Sequence, residues 1–310
     1  MVDQRIEDIT GGALAALADD DKFVVLDKSD TADDPDGTVK YALASTIASY
    51  TRTMLQSIRC MPPDGWITAN NGTDAAHDID FGAGVCIGTD GSGNYREMKL
   101  AATLTKQIDA AWSVGTNAGG LDTGSVANDT WYHLWAIMRS DTGVVDALFS
   151  LSATAPSMPA NYDYRRRIGA VRYGTATILG YTQIGDVFLW DNVAVVQANN
   201  PGTGAVLVTL QVPTGIKVGA MLDGTSYGAS TTGFVGYVSS PDAVDETPAR
   251  GIGQLFYYTV LGAVRVYSPI GTIMTNTSGQ VRRRINASSA SVDIDLGCKG
   301  WVDPRGRVNE

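Results

Sequence analysis

Proton transfer near neutral pH most often falls to an imidazole, and this 310-residue chain holds only two, His77 and His133. A Ser-His-Asp or Cys-His arrangement would have to use one of them. His133 sits within Trp131-Tyr132-His133-Leu134-Trp135-Ala136-Ile137-Met138, an aromatic and β-branched run that reads as a strand. A histidine there is expected to be a packed or surface side chain rather than a base. His77 lies in Asp74-Ala75-Ala76-His77-Asp78-Ile79-Asp80, where three carboxylates and an imidazole fall within seven residues. Such a set could ligate a divalent cation. As a strand, the same segment puts Asp78 and Asp80 on one face and Ile79 and Phe81 on the other. A solvated strand face is the reading adopted, and no metal is expected.

Other chemistry-bearing patterns are weaker. A glycan hydrolase needs two carboxylates held across a cleft, and an acidic β protein offers many such pairs without singling one out. Asp90-Gly91-Ser92-Gly93-Asn94 opens like a calcium loop but lacks the carboxylate at the twelfth position, so it reads as a turn. The chain contains neither GxxxxGK[ST] nor a GxGxxG after a strand. The three cysteines, Cys60, Cys86 and Cys298, are widely spaced and form no CxxC, so buried reduced thiols are expected rather than disulfides or zinc. The expectation is a non-enzyme without a cofactor. Binding of sugar is a separate matter. Six Trp and thirteen Tyr supply flat apolar faces with polar tips. Trp66, Trp112 and Trp301 stand near turns, where each could be an exposed platform for a glycan or a plug at the end of a sandwich. They are retained as candidate glycan-binding residues.

The elements that must carry these residues are mostly strands. At the start, Phe23-Val24-Val25-Leu26 between acidic stretches reads as one short strand. Residues 39–59 have helical spacing. Leu43, Ile47, Tyr50, Met54 and Ile58 recur at steps of four, three, four and four, close to a coiled-coil seam. Thr38 would cap this helix and Met61-Pro62-Pro63 would stop it. Either it lies on its own domain or it self-associates. The second is preferred, which makes those five residues an oligomer interface.

Beyond Pro62 the period changes to that of strands. Trp131–Met138 and Val144–Leu151 flank Asp141-Thr142-Gly143, a hairpin turn. Further strands are expected in 185–196, 205–212 and 255–267. Val292-Asp293-Ile294-Asp295-Leu296 alternates apolar and acidic residues. Turns recur at Asn71-Gly72, Ala118-Gly119-Gly120 and Asp223-Gly224. The fold class expected is mainly β, an antiparallel, jelly-roll-like β-sandwich preceded by a short strand and a single amphipathic helix. Two domains are expected, 1–60 and 61–310, with a sub-boundary near 213.

A net charge of −10 opposes nucleic-acid binding, which needs a basic face. The two Arg runs at 165–167 and 282–284 lie in strand-like stretches, where alternate residues would face opposite ways. No signal peptide and no membrane-length apolar run are read in the sequence.

Several segments are similar to phage tail-fibre sequences. They include Asn70-Asn71-Gly72-Thr73-Asp74, His77-Asp78-Ile79-Asp80-Phe81 and Gly119-Gly120-Leu121-Asp122-Thr123-Gly124. Asp129-Thr130-Trp131-Tyr132-His133, Arg166-Arg167-Ile168-Gly169 and Gly185-Asp186-Val187-Phe188-Leu189-Trp190 continue the series. Their order over about residues 62–215 resembles a β domain of tailed-bacteriophage fibre and virion-appendage proteins. The resemblance implies a homotrimer that attaches to other virion proteins through residues 1–60 and carries a distal β domain. The role expected for it is host attachment, with a host surface glycan as candidate partner. It carries over no catalytic residues. Expected localisation is the virion, after synthesis in the host cytoplasm. A head fibre, tail adaptor or decoration protein without a receptor is the alternative, and a glycan-processing enzyme on the same scaffold, using residues such as Asp78 and Asp80, is a second.

Overall fold

The structure, a computed structural model, describes residues 22–27, 38–43, 65–92, 94–228, 234–249, 255–258 and 264–307. It is mainly β, with several sheets. The chain divides into two compact units, Met1–Ile58 and Arg59–Glu310.

In the first unit, β1 (Lys22–Asp27) and β2 (Thr38–Leu43) pair antiparallel, from Lys22↔Leu43 to Asp27↔Thr38. β1 contains the expected strand at Phe23–Leu26. β2 corrects the expected helix, because residues 39–43, Leu43 included, are extended. Thr38, Val39 and Tyr41 are β-branched or aromatic and favour a pleated strand, and β1 supplies the ladder. Ile47, Tyr50, Met54 and Ile58 lie outside the described residues, among which there is no helix.

The second unit begins with β3 (Thr68–Asn70), β4 (Asp78–Phe81), β5 (Gly84–Thr89), β6 (Tyr95–Leu100), β7 (Leu104–Ala111) and β8 (Ala118–Leu121). It continues with β9 (Thr130–Met138), β10 (Val145–Ser150), β11 (Tyr164–Tyr173), β12 (Tyr181–Ile184), β13 (Val187–Asn199) and β14 (Val206–Thr209). The last strands are β15 (Gly219–Gly228), β16 (Phe234–Ser239), β17 (Leu255–Tyr258), β18 (Val264–Met274), β19 (Gln280–Ile285) and β20 (Val292–Val302). A nine-stranded sheet has the order β3-β4-β7-β8-β10-β9-β11-β5-β6, a five-stranded sheet β12-β13-β20-β15-β18, and a four-stranded sheet β14-β19-β16-β17. Residues after 213 thus complete two sheets that β12, β13 and β14 begin.

The pairing is antiparallel except at β8, which runs parallel to both β7 and β10. The expected turn at Ala118-Gly119-Gly120 is therefore a strand. It fits because it has almost no side chains. A Cβ on Gly119 would lie 2.0 Å from the Ala111 carbonyl oxygen, and one on Gly120 would lie 2.7 Å from the Phe149 ring. Lys106, fully buried, holds the return loop by donating to the carbonyls of Ser113 (2.5 Å) and Gly115 (3.1 Å).

β9 is buried on both faces, as its unbroken apolar run suits. Within the main core, Trp131 meets Trp190 and Trp301 at ring-centroid distances of 5.8 and 5.4 Å, and Phe188 stacks on Trp301 at 4.9 Å. This aromatic group joins the nine- and five-stranded sheets. Trp135 and Ile137 pack instead with Leu148 and Tyr162 in a second, smaller cluster. The free edges of β3 and β12 meet through side chains: the Thr68 amide and hydroxyl both donate to Gln183 Oε1 at 2.7 Å, and the Tyr181 hydroxyl donates to Thr68 Oγ1 at 2.8 Å.

Gly119→Ala should destabilise the protein by about 1–3 kcal/mol or more, since the obstructing atom is backbone and cannot rotate away. Urea denaturation checks this; a stability equal to the parent's would disprove the close β7–β8 approach.

Candidate functional site

The strongest concentration of ionisable groups is internal. Arg167 on β11 and Asp303, just past β20, are both fully buried and share a two-pronged ion pair, Nη1 to Oδ1 at 2.7 Å and Nη2 to Oδ2 at 2.8 Å. Arg167 Nε donates to His133 Nδ1 at 2.9 Å. An irregularity between Arg167 and Gly169 in the β11–β9 register accompanies the burial of both Arg166 and Arg167, where simple alternation predicts one in and one out. Arg166 donates to the Arg305 carbonyl at 2.8 and 3.1 Å and to Ile87 O at 3.1 Å. Arg305, also fully buried, donates to the carbonyls of Gly65 (2.7 Å), Trp66 (2.8 Å) and Ile168 (2.9 Å). Burial lowers its pKa to about 10, against the nearby charges of Asp186 and Asp303.

This arrangement defines what His133 can do. Burial first, and the Arg167 charge second, hold its imidazole down to about 3, despite Asp303 and a hydrogen bond with the Thr214 backbone. Its Nδ1 lone pair is occupied by a guanidinium proton. The group is a neutral structural acceptor, in keeping with the packed histidine expected. The sequence reading passed over Arg167, Asp303 and Arg305 themselves. The available signal was a triple-Arg run leading straight into the apolar Ile168-Gly169-Ala170-Val171.

His77 lies at a surface corner, its Nδ1 3.2 Å from Asp74. β4 alternates as expected, with Ile79 and Phe81 fully buried and Asp78 and Asp80 partly exposed. Asp80 accepts hydrogen bonds from Thr105 Oγ1 (2.6 Å) and Asn71 Nδ2 (2.9 Å). Partial burial raises the Asp78 pKa, helped by the charges of Asp74 and Asp109. Among the described residues, no group of three or more His, Cys, Asp or Glu side chains is placed to hold a metal ion. Cys86 and Cys298 are free and buried, and burial pushes their thiols up to about 12 and about 11. Cys60 lies outside the described residues.

The three tryptophans part company. Trp66 and Trp301 are fully buried, which corrects their reading as exposed platforms. Trp301 stacks with Phe188 in the aromatic group, and Trp66 sits under the β5 backbone, where a Cβ on Gly84 would strike its amide nitrogen at 2.4 Å. Trp112 is only partly buried. Its indole Nε1 donates to Ala147 O at 3.0 Å, its ring meets Tyr162 edge-on at 5.1 Å, and the Lys106 ammonium stands 5.2 Å from its centroid. Lys106 in turn pairs with buried Asp146 at 3.2 Å.

Among the described residues, an open concavity of about 700 Å³ is lined by Ile67, Gln183, Ile184, Asp186, Val187 and Val302 around Gly185. It is mainly apolar and suits a hydrophobic group. No family model, curated protein or solved structure matches the chain. No helix among the described residues is long and apolar enough to cross a membrane.

Two outcomes follow from the buried group. Asp303→Asn leaves the Arg167 charge uncompensated and should cost about 3–5 kcal/mol, measurable by equilibrium denaturation. A free histidine takes its proton near 6.5, while folded His133 resists until about 3. Between these values the unfolded chain binds a proton that the folded chain refuses. Stability should therefore fall as pH drops from about 6.5, by about 1.4 kcal/mol per pH unit. Asp303 extends the loss below about pH 4: burial pushes its carboxyl up, but the Arg167 charge and the hydrogen bonds from Arg167 and the Arg305 backbone together hold its folded pKa below the ordinary carboxylate value. Denaturation curves between pH 7 and 4.5 test this, with His133→Gln expected to flatten the slope. A flat profile in the parent would refute the buried neutral state.

Proposed function

We propose that this protein is a non-enzymatic structural component of a tailed-phage virion: a trimeric tail fibre or short appendage taking part in host attachment. In this reading residues 1–60 attach to other virion proteins, and the second unit is a jelly-roll-like β-sandwich that faces outward. The observation that carries it is mechanical. Gly65 and Trp66, where the chain enters the β body, are gripped through their carbonyls by buried Arg305, which belongs to the same buried group as the Arg167–Asp303 pair. A pull along the preceding chain would be shared with β11 and the 303–305 segment rather than peeling off β3 alone. An appendage anchored by its N-terminal part needs that resistance.

The resemblance over residues 62–215 supports the same reading. So does the state of His133, which is committed to Arg167 and unavailable as a base. Of the candidate glycan-binding residues, Trp112 keeps an accessible part of its ring, so a weak contact to a host surface sugar would be sought there, with several copies supplying avidity.

Light scattering on the full chain should give three times 32.7 kDa, about 98 kDa. The protein should also bind host cells without shortening their surface polysaccharide. A monomer at all concentrations would overturn the trimeric appendage, and chain shortening would overturn the non-enzymatic role.

A further inference from the structure

The outward face of the five-stranded sheet is unusual for a surface. Its ladders have irregularities between Leu189 and Ala194, Met221 and Leu222, and Leu222 and Asp223, and on either side of them the side each residue takes can be read from register. Ile184↔Val187, Val187↔Val302, Val302↔Gly219 and Gly219↔Met274 are successive partners across all five strands. Partners share a face, so this row is apolar from edge to edge. Ile184 is 64% exposed and Met274 48%. A Cβ on Gly219 would fall 2.7 Å from the Thr272 methyl, 3.5 Å from Val302 and 3.7 Å from the Met274 sulfur, so the three side chains crowd over the glycine. Further along, Val195 (55%) pairs with Gly297, Val193 (52%) lies against the same glycine, and Tyr267 (62%) pairs with Thr225. Inner partners such as Ile294, Leu296 and Leu222 are buried. Five of the strongly exposed large apolar side chains among the described residues thus share one sheet face, and the 700 Å³ concavity opens at its Ile184 end.

We infer that a second copy of this chain covers this face. Area is the first argument. Four of the strands run 10 to 13 residues, and five strands at about 4.8 Å spacing and 3.4 Å per residue present roughly 800 Å². Polar and apolar residues together, that is about what each partner buries in a standard stable interface. Charge is the second. A chain of net charge −10 repels its own copies, but on this face two acids are matched internally: Lys299 pairs with Asp223 at 2.9 Å and Arg265 with Asp295 at 2.9 Å. Asp293 stands on the same face opposite Tyr227, so a copy meets this face with part of its acidic charge neutralised. The contact does not depend on the appendage reading or on a particular stoichiometry.

Hydroxyl-radical footprinting of the full chain tests it directly. In the assembled protein Tyr267 and Met274 should be modified several-fold more slowly than their exposure in one chain implies, while Val244, 79% exposed in a loop, reacts freely. The double variant Val193→Lys, Val195→Lys should restore their reactivity and raise the dissociation concentration at least tenfold, with Val244→Lys as the control that changes neither. Both lysines replace exposed residues, and circular dichroism confirms the fold. Full reactivity of Tyr267 and Met274 in an assembled parent would overturn this face while leaving the trimer standing. A protected face in a particle of other than three chains would keep the face and overturn the trimer. A parent that remains monomeric overturns both.

Discussion

Arg167 and Asp303 stand 136 residues apart in sequence and share two hydrogen bonds where water does not reach. Desolvating two charges costs several kcal/mol for each ion, and only close, two-pronged geometry with further hydrogen bonds recovers it. Here those further bonds are present. Asp303 Oδ1 also accepts the Arg305 amide at 2.7 Å, and Arg167 Nε reaches His133. Once the pair forms, the segment after β20 can sit in only one place, because any slip would strand a bare charge in the core. The aromatic contact of Trp131, Trp190 and Trp301 supplies apolar burial between the sheets, and burial alone is tolerant of sliding. The ion pair supplies the register.

Arg305 extends this control to the other end of the body. One guanidinium satisfies carbonyls of Gly65 and Trp66 before β3 and of Ile168 at the β11 irregularity. Buried carbonyls at such junctions would otherwise lack donors. The nearby Asp186, in the turn between β12 and β13, pairs with Arg307 and faces Arg305 at 3.9 Å. The surface carries two features that differ in kind: a partly exposed indole braced by Lys106 and Tyr162, and a sheet face crossed by an apolar row.

Much of the β body was legible because period-2 patterns report burial directly. Asp78–Phe81 and Val292–Leu296 alternate in space as they do in sequence, and Asp141-Thr142-Gly143 makes its hairpin with Gly143 at φ 73°. Misreadings came where two patterns compete. Leu43 fits a helical spacing with residues after it and a strand with residues before it, and pairing with β1 decided for the strand. Trp66 and Trp301 stand near turns, a poor guide to exposure when sheets stack over their ends. The buried charges were illegible for a different reason: arginine and aspartate ordinarily face water, and only a partner 136 residues away makes Arg167 an interior residue.

β20 is central in its sheet, flanked by β13 and β15, yet it is made about a hundred residues after β13. During synthesis, β13 and β15 therefore cannot be joined through the ladder they occupy in the finished protein. Each presents an open edge until residues 292–302 have emerged, and the Asp303 lock cannot close before that. Long-range strand insertion of this kind is slow, and unpaired edges on a waiting chain invite misassembly with neighbouring nascent chains. The five-stranded sheet therefore closes last, and its final register is set only when the end of the body is in place.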